Sequence, residues 1–312
     1  MKVFWDRCGC AWILILVFVF LGCAWLPAQQ TALGMQAEER TAYTSTEALQ
    51  KATQNPVSDL ISIPLQNNAN FDVGPFDRTQ YVLNIQPIIP IHLTNHWNLI
   101  TRSIMPIVWQ PYSSGTGGQY GTGDLNPTFF ISPTQARKMI WGAGPTIVIP
   151  TGSNHILGQG KLSVGPSFAA LVQPGHWTIG SVVNNVWSIA GSGGRPDVNQ
   201  MYWQYFTSYN MRKGWYLTSQ PILTANWKAT SGNVWTVPVG GGIGRIMKFG
   251  FQPVNISAQF FGNAAHPSGA SPWGMRLQIA FLFPKLTPEQ KMQLMEHNLK
   301  QLEEQRGKQV QR

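Results

Sequence analysis

The feature that most constrains this chain is an alternation, with a period of two, between large apolar side chains and small or polar ones. It is clear in the segment 81–89 (Tyr-Val-Leu-Asn-Ile-Gln-Pro-Ile-Ile) and recurs in kind up to Phe283. A period of two places successive side chains on opposite faces of an extended strand. Strands of about 9–11 residues that alternate apolar outward and polar inward are typical of transmembrane β-barrels. The chain is therefore predicted to be all-β, a transmembrane antiparallel up-and-down barrel.

The alternating segments and the gaps between them predict a barrel of about twelve strands. The predicted strand limits are 58–68, 79–93, 96–111, 123–133, 138–151, 161–173, 176–190, 200–211, 214–226, 234–246, 250–262 and 273–284. An even number suits a bacterial single-chain barrel, and short turns on one side with longer loops on the other are the usual asymmetry. Here the gaps alternate in that way, and the longer ones are rich in Gly, Ser, Asn and Pro.

The N-terminus predicts export from a Gram-negative cytoplasm to the outer membrane. Lys2 and Arg7 precede a short apolar run from residue 11 to 21, which fits a secretory signal cleaved after Ala28. A lipoprotein signal ending at Cys23 is the alternative. All three cysteines, Cys8, Cys10 and Cys23, lie within this leader. Cleavage after Ala28 would leave no thiol for a disulfide, a nucleophile or a metal site.

The flanks of the predicted barrel differ in kind from its strands. We assign residues 1–28 to the signal peptide, 29–57 to a periplasmic segment with a short helix, 58–284 to the barrel and 285–312 to a charged helical tail. The helix at 46–54 is interpreted as a tether before the first strand, with a lumen plug as the alternative. The tail starts with a good helix N-terminus at 287–290. A solvated periplasmic helix is favoured over a coiled-coil partner site, because the heptad pattern is short.

Parity within the strands assigns candidate lumen residues. In 96–111, Trp97 and its odd-numbered apolar neighbours face lipid, which places Arg102 inside; in 273–284 the same reasoning places Arg276 inside. Lys161 is the third inward base, and Asp124 is the inward acid. These four residues are the candidates for a weakly cationic, anion-preferring lumen. The alternative is that the bases pair with Asp124 or brace a filled interior.

Prolines inside the strands are the main physical objection to the barrel. A proline removes a backbone donor, and a closed barrel has no free edge on which to place it. The prolines concerned are Pro87, Pro90, Pro106, Pro145 and Pro221. The prediction therefore requires these residues to lie at bulges or near the rims.

Several stretches in a fixed order resemble a known bacterial family. They are 54–68, 121–125, 129–133, 141–145, 149–152, 157–161 and 164–166. Together they resemble the outer-membrane protein family associated with phenol meta-pathway degradation operons, over roughly residues 45–284. The resemblance implies an outer-membrane transporter with small hydrophobic or aromatic compounds as substrates. It implies no catalytic residues, and it does not extend to the 285–312 tail.

The predicted last strand, 273–284, ends in an aromatic residue after strict alternation, which resembles the C-terminal signal that the outer-membrane assembly machinery recognises. The assembly machinery and outer-membrane lipid are therefore the other expected partners.

Other function classes find little support in the sequence. Between residues 60 and 283 there are twelve bases and four acids, but the bases are scattered, which argues against nucleic-acid binding. The six histidines are spread over strand ends, loops and the tail, and no HExxH motif occurs. We therefore expect a channel without catalytic residues, metal or cofactor. An outer-membrane enzyme of the lipid-hydrolase type and a structural or adhesive barrel are the alternatives.

Overall fold

The computed structural model describes residues 46–135, 138–250, 252–284 and 292. One helix and a 3-10 turn at Arg212–Gly214 accompany fifteen strand segments: α1 (Thr46–Thr53), β1 (Ile61–Val73), β2 (Arg78–Ile85), β3 (Ile88–His92), β4 (Trp97–Pro111), β5 (Gly118–Thr122), β6 (Asn126–Pro133), β7 (Ile140–Val148), β8 (Lys161–Val172), β9 (Trp177–Gly191), β10 (Asn199–Asn210), β11 (Trp215–Ser219), β12 (Ile222–Asn226), β13 (Trp235–Phe249), β14 (Gln252–Ala265) and β15 (Trp273–Phe283). The predicted signal peptide, the cysteines and the predicted tail helix, apart from Met292, lie outside the described residues.

The strands form one closed antiparallel barrel. Closure comes from β1 and β15, which pair from Ile61 opposite Phe283 to Phe71 opposite Trp273. Three wall strands are each interrupted once and therefore consist of two segments. These pairs of segments are β2 and β3, β5 and β6, and β11 and β12. Fifteen segments thus make twelve wall strands, and the predicted all-β, up-and-down barrel of twelve strands is confirmed.

The first strand differs from its predicted limits, because it runs from Ile61 to Val73 instead of 58–68. The gap predicted to follow it, 69–78, is one of those rich in Gly, Ser, Asn and Pro, but its first residues belong to the strand. In the structure Asn68 Nδ2 donates to the carbonyl of Val82 at 3.2 Å, and Asn70 Nδ2 donates to Gln80 Oε1 at 2.7 Å. Inward side chains that pair with neighbouring strands allow a polar run to form barrel wall.

The five prolines singled out in the sequence lie where a backbone donor is not required. Pro87 and Pro221 fall in the interruptions between β2 and β3 and between β11 and β12. Pro90 lies beyond the last pairing of β3 with β1, at Ile88. Pro106 faces the interruption at 123–125, and Pro145 faces a stretch where β6 and β7 are paired only at their flanks. The objection raised by the sequence is therefore met by local irregularities of the wall.

The outer face of the barrel is apolar and carries aromatic rings near both ends. In β15, Leu277, Ile279 and Phe281 are exposed, while Arg276 and Leu282 are buried on the inner side. At the end that bears the short turns, rings meet as the pairs Trp97–Trp141 and Trp177–Tyr209. At the end that bears the long loops, they meet as Phe71–Trp273 and Trp227–Trp235. Among the described residues, no helix is long and apolar enough to cross a bilayer.

The short-turn end of the barrel is filled by the segment 46–60. Leu49, Ala52 and Leu60 are buried in one apolar cluster with inward residues of β11, β13 and β15: Tyr216, Ile246, Ala280 and Leu282. Val57 joins a second cluster with inward residues of β4, β6, β8, β9 and β10: Ile100, Phe130, Ala169, Leu171, Val182 and Phe206. The segment therefore contacts both halves of the wall, as a lumen plug does.

Polar contacts fix the orientation of this plug. Gln54 and Asn210 exchange amide hydrogen bonds at 2.8 and 3.2 Å, and both side chains are buried. Gln50 Nε2 donates to the carbonyl of Trp215 at 2.8 Å, and Gln173 Nε2 donates to that of Lys51 at 2.8 Å. Because buried amides are costly unless they are satisfied, these bonds favour one placement of the helix.

Candidate functional site: the lumen cavity

A cavity of about 590 Å³ lies inside the barrel, between the plug and the long-loop end. Its wall mixes apolar side chains with polar and charged ones. The apolar part includes Val82, Ile104, Phe130, Val148, Val182 and Ile222, and the polar part includes Asn84, Arg102, Asp124, Asn184, Arg195, Tyr202 and Gln204. A lining of this kind suits a small molecule with an apolar body and a polar group.

The segment 149–160, which connects β7 to β8, folds back against the wall and lines this cavity through Ile156, Leu157, Gly158 and Gln159. Ser153 N donates to the carbonyl of Thr122 at 2.9 Å, and Thr122 N donates to Ser153 Oγ at 3.0 Å. Leu125 N donates to Thr151 Oγ1 at 2.9 Å. This connection, here called the inner loop, is therefore paired to the strand interruption at 123–125.

Asp124 holds the inner loop through its carboxylate. Oδ1 accepts the backbone N–H of Gly152 at 3.0 Å, and Oδ2 accepts that of Gln159 at 2.6 Å. A carboxylate that accepts backbone amides forms strong, charge-assisted hydrogen bonds. Asp124 thus joins both ends of the inner loop to the wall.

Two glycines allow this close approach. A Cβ on Gly158 would lie 2.4 Å from Asp124 Oδ1, and a Cβ on Gly152 would lie 2.8 Å from the Cα of Gly158. Any side chain at either position would push the loop off the carboxylate. The stretches 121–125, 149–152 and 157–161, which carry part of the family resemblance, are therefore brought together at Asp124 by the fold.

Arg195 binds the carbonyl groups of the inner loop, whereas Asp124 binds its amides. It lies in the connection between β9 and β10, its Nε donates to the carbonyl of Gln159 at 3.0 Å, and its Nη2 donates to that of Gly158. Gln159 Nε2 also donates to Gln200 Oε1 at 2.6 Å. The peptide at 158–159 is thus fixed between an acid and a base.

Arg102 lies in the lumen on β4, as its parity predicts. Its Nη2 donates to Gln86 Oε1 at 3.0 Å, beside the strand interruption at Pro87. Its Nε is buried and has no hydrogen-bond partner among the described residues. Arg102 thus supports a break in the wall and places its charge at the cavity.

Arg276 also lies in the lumen, on β15, and is 8% exposed. Its Nε donates to Asn68 Oδ1 at 3.0 Å, its Nη1 donates to the carbonyl of Gln220 at 2.7 Å, and its guanidinium lies 4.9 Å from the ring centroid of Phe261. Gln220 precedes Pro221, so this arginine also supports a proline break.

Lys161 is placed differently from the two arginines. It begins β8 at the long-loop end, and its Nζ lies 3.3 Å from Asp197 Oδ1, whose side chain is 68% exposed. It does not line the cavity. The fold thus brings Arg102 and Asp124 to one cavity, whereas Arg276 is bound to Asn68 and Gln220, and Lys161 pairs with Asp197 at the rim.

Sequence reasoning missed several residues of the cavity, chiefly Arg195, Gln159 and Tyr202. Arg195 and Gln159 lie in long connections, where side-chain parity gives no information. Tyr202 lies in β10, with its hydroxyl 3.3 Å from Gln200 Oε1. The signal for the loop residues was the cluster of glycines between 152 and 160, because glycine often marks a close backbone approach.

His92 is held by two neighbours at the short-turn end. Its Nδ1 lies 2.7 Å from Asn98 Oδ1, and its Nε2 lies 3.4 Å from Asp59 Oδ1. Both ring nitrogens thus face acceptor oxygens. Within the described part of the chain, no group of three or more His, Cys, Asp or Glu side chains is arranged to hold a metal ion.

With the barrel and its cavity defined, the chain can be compared with known proteins. No model of a known protein family matches it, and no curated protein matches it in sequence. Among solved structures it is similar to an outer-membrane channel from Pseudomonas putida F1, with a TM-score of 0.55 and 15% identity over 72% of this chain and 96% of that one. At this identity the likeness shows a shared barrel fold.

Two further barrels are similar at lower scores. One is the NanC porin, with a TM-score of 0.47 and 10% identity over 72% of this chain and 100% of that one. The other is outer-membrane phospholipase A from Escherichia coli, with a TM-score of 0.39 and 11% identity over 75% and 99% of the two chains. Likenesses this distant do not distinguish a channel from an enzyme.

Proposed function

We propose that this protein is an outer-membrane channel that passes small molecules, among them hydrophobic and aromatic compounds, through the barrel lumen. The observation that carries the proposal is the cavity of about 590 Å³, enclosed by a closed barrel whose outer face is apolar. An apolar cavity of about 150 Å³ already holds benzene. A single-ring compound therefore has room in this lumen.

The outer-membrane location is part of the same proposal. A closed barrel with an apolar exterior and aromatic rings near both ends matches the physical needs of a bilayer. The signal peptide predicted at 1–28 would direct export. The last strand, which ends in Phe281 and Phe283, would be read by the assembly machinery. The link to phenol degradation rests on the family resemblance of the sequence.

Passage requires one of the two inner segments to move. The plug fills the short-turn end through its two apolar clusters, and the inner loop narrows the lumen beside Asp124. Twelve-stranded barrels are also narrower than the 16–18-stranded general porins. We therefore expect a small, selective conductance instead of a wide open pore.

A lipid-hydrolase function receives no support from the site. A serine hydrolase needs a histidine nitrogen directed at its nucleophile. In the structure the ring nitrogens of His92 face Asn98 and Asp59. We propose that the protein works without catalytic residues or a cofactor.

Reconstitution of the full chain tests the function. In planar bilayers, purified protein should give discrete single-channel steps, and proteoliposomes should swell in solutions of benzyl alcohol faster than protein-free liposomes. Fractionated cells should yield the protein in the outer membrane, with heat-modifiable migration on gels. Recovery as a soluble periplasmic protein, or the absence of both conductance and swelling even after the plug is destabilised, would refute the proposal.

A further inference from the structure

The Arg102 side chain lines the lumen cavity, and most of its donors have no partner in the part of the chain that the structure describes. Among the described residues its guanidinium makes one hydrogen bond, from Nη2 to Gln86 Oε1 at 3.0 Å. Nε is fully buried, so the terminal nitrogens are the donors available to a ligand in the cavity. A guanidinium stays charged and forms strong hydrogen bonds to carboxylates.

Positive charge in the cavity wall is not fully neutralised by the protein. Two arginines, Arg102 and Arg195, and one acid, Asp124, line the cavity. Neither Arg102 nor Arg276 forms an ion pair with a carboxylate within the described part of the chain. The charges of the lining therefore favour an anion.

The rest of the wall favours an apolar body on that anion. Ile104, Phe130, Val182 and Ile222 line the same cavity as Arg102. Burial of apolar surface contributes about 25 cal/mol per Å². A hydrated inorganic anion gains nothing from these side chains, whereas an aromatic ring does.

We propose that the cavity binds small aromatic carboxylates, with the carboxylate on Arg102 and the ring against the apolar wall. This inference rests on the proposed function and narrows its substrate class, because it separates aromatic anions from neutral aromatic compounds. The bound carboxylate accepts a hydrogen bond from the terminal nitrogens of Arg102 and offsets its charge.

The test is a binding measurement on the full chain in detergent, with benzoate, benzyl alcohol and acetate as probes in isothermal titration calorimetry. Benzoate should bind about ten-fold or more tightly than either of the others. Benzyl alcohol lacks the carboxylate, and acetate lacks the aromatic ring. Arg102→Gln should weaken benzoate binding by about ten-fold or more and leave benzyl alcohol unchanged. Arg102→Lys keeps the charge but loses the planar guanidinium. Its affinity for benzoate should lie between those of the wild type and Arg102→Gln.

Arg245→Gln is the matched control. Arg245 lies two residues after the exposed Ile243 in β13 and therefore faces the outside of the barrel. Its guanidinium lies 4.9 Å from the ring centroid of Trp215. Its loss should leave benzoate binding intact. Heat-modifiable migration of each variant shows that the barrel has folded. Equal binding of benzoate and benzyl alcohol, or an Arg102→Gln variant that binds benzoate as the wild type does, would overturn the inference.

Flux assays separate this inference from the channel function. If proteoliposomes pass benzyl alcohol and benzoate equally and Arg102→Gln changes neither, the channel stands and the carboxylate preference is wrong. If benzoate binds in an Arg102-dependent manner but no solute crosses, the binding site stands and the channel function is wrong.

Discussion

Asp124 and Gln159, which are 35 residues apart in the sequence, are joined by a hydrogen bond of 2.6 Å from the Gln159 backbone amide to the Asp124 carboxylate. Together with the bond from Gly152 to the same side chain, it seats the inner loop against the barrel wall. Asp124, one candidate counter-ion of the lumen bases, shapes the lumen by accepting these backbone amides. It forms no ion pair with Arg102 or Arg276.

The Asp124 contact should control the mobility of the inner loop. Asp124→Ala removes the acceptor of two buried amides, which is worth about 1–3 kcal/mol for each group. Amide exchange at Gly152 and Gln159, followed by mass spectrometry, should become about ten-fold faster or more. Asp124→Asn, which keeps one acceptor oxygen, should give a smaller effect.

Asp197→Ala is the control for this prediction. Asp197 pairs with Lys161, and its side chain is 68% exposed. Ion pairs with a solvent-exposed partner contribute about 0–1 kcal/mol. Exchange in the inner loop should stay at the wild-type rate. Unchanged exchange in Asp124→Ala would mean that other contacts, such as those of Arg195, hold the loop.

The plug should limit conductance. Leu49→Asp combined with Ala52→Asp places two carboxylates in an apolar cluster, where burial of an unpaired charge costs several kcal/mol. The helix should leave the barrel, and single-channel conductance should rise several-fold. Glu47→Gln, on the exposed side of the same helix, should leave conductance unchanged. A plug variant with wild-type conductance would show that the restriction lies at the inner loop.

The last strand should be needed for insertion, whereas the predicted tail should not. Phe281 and Phe283 are exposed on the outer face and close the barrel against Ile63 and Ile61. Changing both to Asn removes about 1.5–3 kcal/mol of apolar transfer energy for each side chain and should abolish outer-membrane insertion. Deletion of 286–312 should leave a heat-modifiable barrel. If the variant with both phenylalanines changed still inserts and the deletion of 286–312 abolishes the barrel, the tail and not the last strand is needed for folding.

The inward arginines should set ion selectivity. Reversal potentials in a salt gradient should show a preference for anions, because the inward arginines attract them. The Coulomb energy between close charges is about 1–4 kcal/mol at intermediate effective dielectric constants. Arg102→Ala or Arg276→Ala should weaken this preference, whereas Lys161→Ala should have little effect, since Lys161 is paired with Asp197 at the rim. A cation preference in the wild type would refute the cationic lumen.

Arg276→Ala should also destabilise the barrel, because it removes the donor to the carbonyl of Gln220 and one of the two donors to Asn68 Oδ1, of which Gln66 Nε2 remains. The unfolding temperature, measured by the loss of heat-modifiable migration, should fall for Arg276→Ala. Lys161→Ala, measured in the same way, should stay near the wild type. This readout separates loss of selectivity from loss of structure.

Much of the wall was predictable because strand parity is a local property. The alternation of Arg276 and Gln278 with Leu277 and Ile279 assigns inner and outer faces without knowledge of any partner strand. The twelve wall strands follow from the same pattern. The limits of β1 did not follow, because the asparagines near residue 68 are satisfied by β2 and thus do not form a loop.

The sequence alone determined the barrel, its strand number and the inward position of Arg102 and Arg276, since each depends on neighbours within one strand. Only the tertiary structure decided that the 46–60 segment fills the lumen, that Asp124 seats the inner loop and that the two arginines support the breaks at Pro87 and Pro221. The physical reason is that a buried amide or carboxylate takes whichever partner the closed barrel brings within reach, and that partner is distant in the chain.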